Sequence, residues 1–197
     1  MNTLKAEKRS MDVKAKRLRR EGYVTGNLFG REIEGSIPLK FTKKEIEVLL
    51  KNNNKGSQVM LELDGKSYDA LIKEVDYNPL AHTVEEVDFQ ALVSNEMVHS
   101  TAEIILENEE KVLSGVLQDE LKEVAYKALP ADLVDKIKVD VAGMKIGDTL
   151  RVKDLKIAKN KNIHITTDLE AVIATVTPVH NVVPETETET EEATEEK

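Results

Sequence analysis

The chain has 197 residues, 40% of them hydrophobic, 4% aromatic and 33% charged, with no Cys and no Trp. The missing Cys excludes disulfides, Cys-ligated zinc, thiolate catalysis and iron–sulfur clusters, and no apolar run approaches the roughly 18 residues of a membrane span. The formal net charge is −9, but it is uneven: residues 1–31 carry nine Lys and Arg against three acids, and residues 185–197 carry one Lys against seven Glu, so the overall acidity does not exclude nucleic acid at the basic end.

The N-terminus has no apolar signal core, which predicts a cytoplasmic location. Five basic residues then fall within seven: Lys14, Lys16, Arg17, Arg19 and Arg20, preceded by Lys8 and Arg9. Lys and Arg neutralise phosphates and release counterions, and the Arg fork takes two oxygens at once. If this stretch is helical, Lys16, Arg19 and Arg20 share a face and Leu18 anchors inward.

Ser36 to Phe41 alternates with period two. Thr42-Lys43-Lys44-Glu45 is a capping box, followed by Ile46, Leu49 and Leu50 on one apolar helix face and ended by Asn52 to Asn54 and Gly56. Gln58–Leu63, the Asp64-Gly65 turn and Ser67–Val75 read as a hairpin. Asn78-Pro79 marks a turn, and Thr83–Val93 is another strand. Many short strands around one clear helix predict a small barrel over residues 1–93.

Residues 94–183 are expected to form a second β-rich domain. Its strands are predicted at 97–106, 112–117, 121–128, 136–141, 150–152 and 170–176. Pro130 to Val134 reads as a short helical turn. Residues 184–197 alternate Glu with Thr and contain no large apolar residue, so they are expected to be a disordered acidic tail. The chain is therefore predicted to be mainly β with a few short helices.

Catalytic patterns are poorly represented. His82, His99, His164 and His180 are scattered, with no metal-ligand spacing between them, and neither a phosphate-binding glycine loop nor a GxSxG elbow occurs. No cofactor, metal, membrane partner or small-molecule substrate is expected, and no enzymatic activity. Tyr23, Phe29, Tyr68 and Tyr77 are too sparse for a single-strand stacking platform. The pattern favours recognition of a structured RNA by its backbone and shape.

The order of the pieces carries a resemblance. Ala6 to Arg9 is followed by Lys16-Arg17-Leu18-Arg19-Arg20-Glu21-Gly22-Tyr23-Val24, then Leu28-Phe29-Gly30, Ile37-Pro38-Leu39, Lys73-Glu74-Val75, Asn78-Pro79 and Val87-Asp88-Phe89. Beyond these come Leu129-Pro130, Ile137 to Val141, Ile146-Gly147-Asp148-Thr149-Leu150 and Val152 to Leu155. Over about residues 3–178 this resembles the bacterial large-subunit ribosomal protein family that binds 5S rRNA, in its long two-domain form, the general stress protein Ctc type. The resemblance implies a six-stranded N-terminal barrel docked on 5S rRNA in the central protuberance, with a C-terminal domain that reaches neighbouring ribosomal proteins. It places RNA contacts at Arg9, Lys14, Arg17, Arg19 and Arg20 and at Asp88; Lys16 joins them from the helix-face reading.

Several positions depart from the family pattern. Thr25 and Phe29 stand where Pro and Tyr are usual, Asp76-Tyr77 where Gln-Arg is usual, and Glu86 where His is usual. Leu80 and Ala81 replace basic residues. A carboxylate facing phosphate is repulsive, so these changes leave two expectations. In one, contacts shift toward the Arg-rich segment. In the other, the chain is a divergent stress-related paralogue or protein–protein adaptor with weak or conditional ribosome binding.

Overall fold

The computed structural model describes residues 3–112 and 115–178. The expected acidic tail lies outside them. The first half contains strands β1 (Thr3–Lys8), β2 (Tyr23–Phe29), β3 (Ser36–Thr42), β4 (Gln58–Leu63), β5 (Lys66–Asn78) and β6 (Thr83–Ala91), with helices α1 (Ala15–Arg20) and α2 (Lys43–Asn52). The strands close into a barrel in the order β1-β3-β2-β6-β5-β4. Closure follows from alternation. Leu4 and Ala6, Val24 and Leu28, Leu39 and Phe41, Val59 and Leu61, and Val87 and Phe89 all face one core. The Phe41 and Phe89 rings meet in a tilted pair with centroids 5.4 Å apart, a favourable aromatic geometry.

The predicted capping box is present: Thr42 Oγ1 accepts from the Glu45 amide and the Glu45 carboxylate accepts from the Thr42 amide. It starts α2, which buries Ile46 and Leu49 against the barrel. Asp64 (φ 50°) and Gly65 (φ 76°) both take the left-handed backbone of a two-residue hairpin turn. The partner strand β5 runs to Asn78, farther than its apolar pattern indicates, because shifts between Ile72 and Glu74 and between Asp76 and Tyr77 keep it paired to β6. Strand β1 was not anticipated. It pairs in parallel with β4, and only Leu4 and Ala6 turn inward among exposed Thr3, Lys5 and Glu7.

Two barrel pairings are parallel, β1 with β4 and β2 with β6. The second is very close at Gly26, where a Cβ would lie 2.1 Å from Val87 O. No other residue lets β2 lie so tightly along β6.

The second half contains β7 (Val98–Glu107), β8 (Val116–Asp119), β9 (Glu123–Ala128), β10 (Lys136–Asp140), β11 (Thr149–Arg151), β12 (His164–Ile165) and β13 (Val172–Thr177). They form a four-stranded sheet, β10-β7-β9-β12, and a three-stranded sheet, β11-β13-β8. Both contribute to a second core that includes Ala102, Ile104, Val124, Tyr126, Ile173 and Ala174. The strand expected at 112–117 begins only at Val116; a 3-10 turn at Glu109–Lys111 precedes it, and residues 113 and 114 lie outside the described residues. Strand β12 is too short to leave a periodic signal.

Polar contacts at the turn after α2 join the two halves. Gly56 (φ 88°) is buried, and a Cβ there would lie 1.9 Å from Thr101 O. Around it, Ser57 Oγ donates to Asp135 Oδ2 at 3.2 Å, Asn54 Nδ2 donates to Glu103, and Lys73 Nζ donates to His99 O at 2.7 Å.

Tyr126 organises the second core. Its fully buried phenol donates to Val134 O at 2.7 Å and accepts from Val134 N at 2.8 Å. Burial pushes its pKa above the ordinary 10.0, opposed by the bond to Val134. For a raised folded value, the stabilising contribution is complete below the unfolded value and is lost as pH rises through the folded one. Tyr126→Phe is therefore expected to lower the unfolding free energy by about 1–3 kcal/mol, the cost of unpairing two backbone groups of the part-buried Val134. It is also expected to flatten the loss of stability above about pH 10. Urea unfolding at neutral and alkaline pH reads both effects.

Candidate nucleic-acid interface

Helix α1 is short, and its N-cap residue Lys14 makes no side-chain cap hydrogen bond. A six-residue helix does not hold itself together in water. Leu18 docks it, with 6% of its surface exposed. Arg9 ties down the loop before it: its amide donates to Pro38 O at 2.9 Å and its Nη2 donates to Val13 O at 3.2 Å. Arg9 thus shapes the approach to the helix as well as carrying charge.

With Leu18 inward, the basic residues divide into two sets. Lys14, Lys16 and Arg20 are exposed and make no ion pair among the described residues. Arg17 is exposed and pairs one turn along with Glu21 at 2.9 Å, an exposed contact worth little in water. Arg19 turns the other way. Its Nε donates to Glu85 O at 3.1 Å, its Nη1 lies 2.9 Å from Glu85 Oε2, and its Nη2 lies 3.4 Å from Glu86 Oε2 and 3.5 Å from Thr25 Oγ1. Only 30% of its side chain is exposed. Lys16, Arg19 and Arg20 therefore do not act as one phosphate-facing set: Arg19 is engaged across the barrel with strand β6.

Asp88 is engaged as well. Its Oδ1 accepts from both the amide and the Nδ2 of Asn27 at 3.0 Å. The side chain thereby joins β2 to β6 between the registered pairs Thr25–Glu86 and Leu28–Phe89. Glu86 also accepts from Asn27 Nδ2, at 3.3 Å. The carboxylate that takes the place of the family's usual His is thus held by Arg19 and Asn27.

Strands β5 and β6 then place like charges opposite one another. Glu74 faces Asp88 and Asp76 faces Glu86 in register, an arrangement that weakens a sheet. Arg19 is the cation that answers this ridge among the described ion pairs. On the other side of β2, Lys40 sits 5.0 Å above the Tyr23 ring and 2.9 Å from Glu7. Its hydrogen bond to Glu7 raises its pKa, so it stays charged throughout the neutral range. Farther along, the β5–β6 tip exposes Leu80 at 94%. The interface is therefore a cationic edge along α1, continued by Lys40, beside an anionic ridge on β5 and β6.

Sequence reasoning did not single out Asn27, Glu85 or Lys40. Arg19 and Glu85 are 66 residues apart, and no local spacing links them. The strand period alone does point Asn27 and Lys40 outward on their strands.

The barrel and its basic edge define a binding module. Sequence comparison identifies which one. Residues 4–89 match the Ribosomal L25p family, and residues 97–180 match the C-terminal domain of ribosomal protein TL5. The chain is 32% identical to the large ribosomal subunit protein bL25 of Moorella thermoacetica, covering 89% of this chain and 86% of the relative. It is 33% identical to that of Caldicellulosiruptor saccharolyticus, over 88% and 84%, and 30% identical to that of Bacillus velezensis, over 90% and 89%. The chain belongs to the ribosomal L25p family, in its long two-domain form. This is a family of structural ribosomal proteins, not of enzymes.

Removing Arg19 leaves the half-buried Glu85 and Glu86 without their cation and detaches α1 from β6. Arg19→Ala is expected to cost roughly 1–3 kcal/mol of stability, whereas Arg20→Ala should change it by less than about 0.5 kcal/mol. Parallel thermal unfolding of the two variants checks this difference.

Proposed function

We propose that this chain is a structural protein of the large ribosomal subunit that binds 5S rRNA in the central protuberance and so works in the cytoplasm. The observation that carries the reading is the outward set Lys14, Lys16, Arg17 and Arg20, presented on a helix that Leu18 and Arg19 anchor to the barrel. Cations on a fixed edge at the sheet surface suit the phosphates of a folded RNA, which is recognised chiefly by shape and backbone. Arg9 and Lys40 support that edge. Asp88 serves the same surface from within, by holding β2 against β6, and its second carboxylate oxygen is left to accept a hydrogen bond from the RNA.

The registered pair Asp76–Glu86, both at positions that depart from the family pattern, favours a second reading for affinity. A ridge of carboxylates beside the cationic edge repels phosphate. That suits a divergent, stress-related member whose ribosome binding is weaker or conditional.

Binding of the full chain to 5S rRNA, titrated with salt against a scrambled structured RNA, tests the proposal. The double variant Lys16→Ala/Arg20→Ala is expected to lower the slope of log K against log salt by about two units, roughly one per phosphate no longer neutralised, with stability unchanged. Equal affinity for both RNAs, or an unchanged slope, would refute it. Asp76→Asn should tighten binding at low salt if the ridge is what limits affinity.

A further inference from the structure

On the second domain, the outward face of the four-stranded sheet is polarised. His99 on β7 stands opposite Lys127 on β9, and Lys127 stands opposite His164 on β12. All three are exposed, while their neighbours Val98, Ser100, Tyr126 and Ala128 are buried. Four residues along, the same face carries Glu103 opposite Glu123. The barrel answers this acidic end: Asn54 donates to Glu103, and Lys55 lies 3.7 Å from Glu123. Nothing among the described ion pairs answers the basic end.

The basic row continues across the domain junction. Lys73 of β5 reaches over to His99 O, and a cleft of about 270 Å³ opens there between Lys55, Gly56, Lys73, His99, Ser100 and Thr101. Glu74 is the acidic residue lining it. Desolvation, followed by neighbouring Lys55, lowers the Lys73 pKa, and desolvation, followed by Lys127 and Lys73, lowers that of His99. Among the described ion pairs, none joins these groups to a carboxylate, and Glu74 is the acid that lies beside Lys73 and His99 in the cleft. Both imidazoles still donate a hydrogen bond when neutral.

We infer that Lys73, His99, Lys127 and His164 form a second phosphate-binding track, running from the domain junction across the C-terminal sheet, that grips the backbone of the RNA held by α1. Strands lie about 4.8 Å apart, so the row offers an array of donors along a stretch of backbone, with the cleft receiving the phosphate nearest Lys73. Phosphate contacts of this kind position a protein without reading sequence. The inference rests on the proposed RNA-binding function but uses a different face and different residues.

The test compares three full-length variants binding 5S rRNA at several salt concentrations: Lys127→Glu/His164→Glu, Lys16→Ala/Arg20→Ala, and the two combined. The row variant is expected to bind about tenfold more weakly at 0.1 M salt for each phosphate it no longer holds, with the deficit closing toward 1 M. The combined variant should show the product of the two effects. Row-variant binding equal to wild type while the α1 variant is weakened overturns the track and leaves the proposed function intact. Weakening by the row variant alone supports the track and removes α1 from the RNA surface. A row-variant deficit that does not change with salt overturns the phosphate assignment, as does a row variant that keeps its RNA affinity but no longer joins the large subunit, which would indicate a protein partner. Thermal midpoints matching wild type confirm that the variants are folded.

Discussion

Everything on the α1 side of the barrel depends on how closely β2 lies along β6. A parallel pair cannot be closed by a tight turn, and the chain passes through three other strands and a helix before returning. What brings the strands together is Gly26 under the Val87 carbonyl, with Asp88 gripping Asn27 one step farther on. Because β6 is then fixed beside β2, Glu85 and Glu86 come within reach of Arg19, and α1 gains a polar anchor in addition to Leu18. A six-residue helix with no side-chain N-cap would otherwise have only one buried side chain to hold it.

This dependence changes what the basic segment means. Counted along the chain, its arginines are equivalent. In space, Arg19 belongs to the fold, Arg9 to the loop that leads into the helix, and Lys14, Lys16 and Arg20 are the cations free of protein partners among the described residues. The carboxylates that stand at family-variant positions are likewise not simply obstacles. Glu86 helps to hold the helix that carries the remaining positive charge. Asp76 has no such compensation among the described ion pairs and faces Glu86 in register.

The parts of the fold legible in the sequence were those written in short-range chemistry. The Thr42–Glu45 capping box, the Asp64-Gly65 turn and the alternating strands from Ser36 onward each needed only neighbouring residues, and the inward Leu18 followed from helical spacing. The parts that were not legible are long-range. Strand β1 shows a weak alternation because only Leu4 and the small, weakly apolar Ala6 mark its inward face. The pairing of Arg19 with β6 spans 66 residues, and the polarity of the C-terminal sheet face emerges only when three strands are set side by side. The family resemblance supplied the barrel's strand number, but not which side chains within it are already occupied.

Gly56 has a consequence for how two grips on one ligand combine. The contact between its backbone and the Thr101 carbonyl is steric, so ionic strength does not loosen it, unlike the Lys55–Glu123 pair beside it. A hinge at this point would still raise the effective concentration of the second surface, but would spread it over many separations. A junction packed this closely presents the second surface over a narrower range of separations from the first. The gain from joining them is then largest for a partner whose own geometry matches that range and vanishes for one that does not. On the proposed function, discrimination between folded RNAs would then rest in part on a glycine at the domain junction.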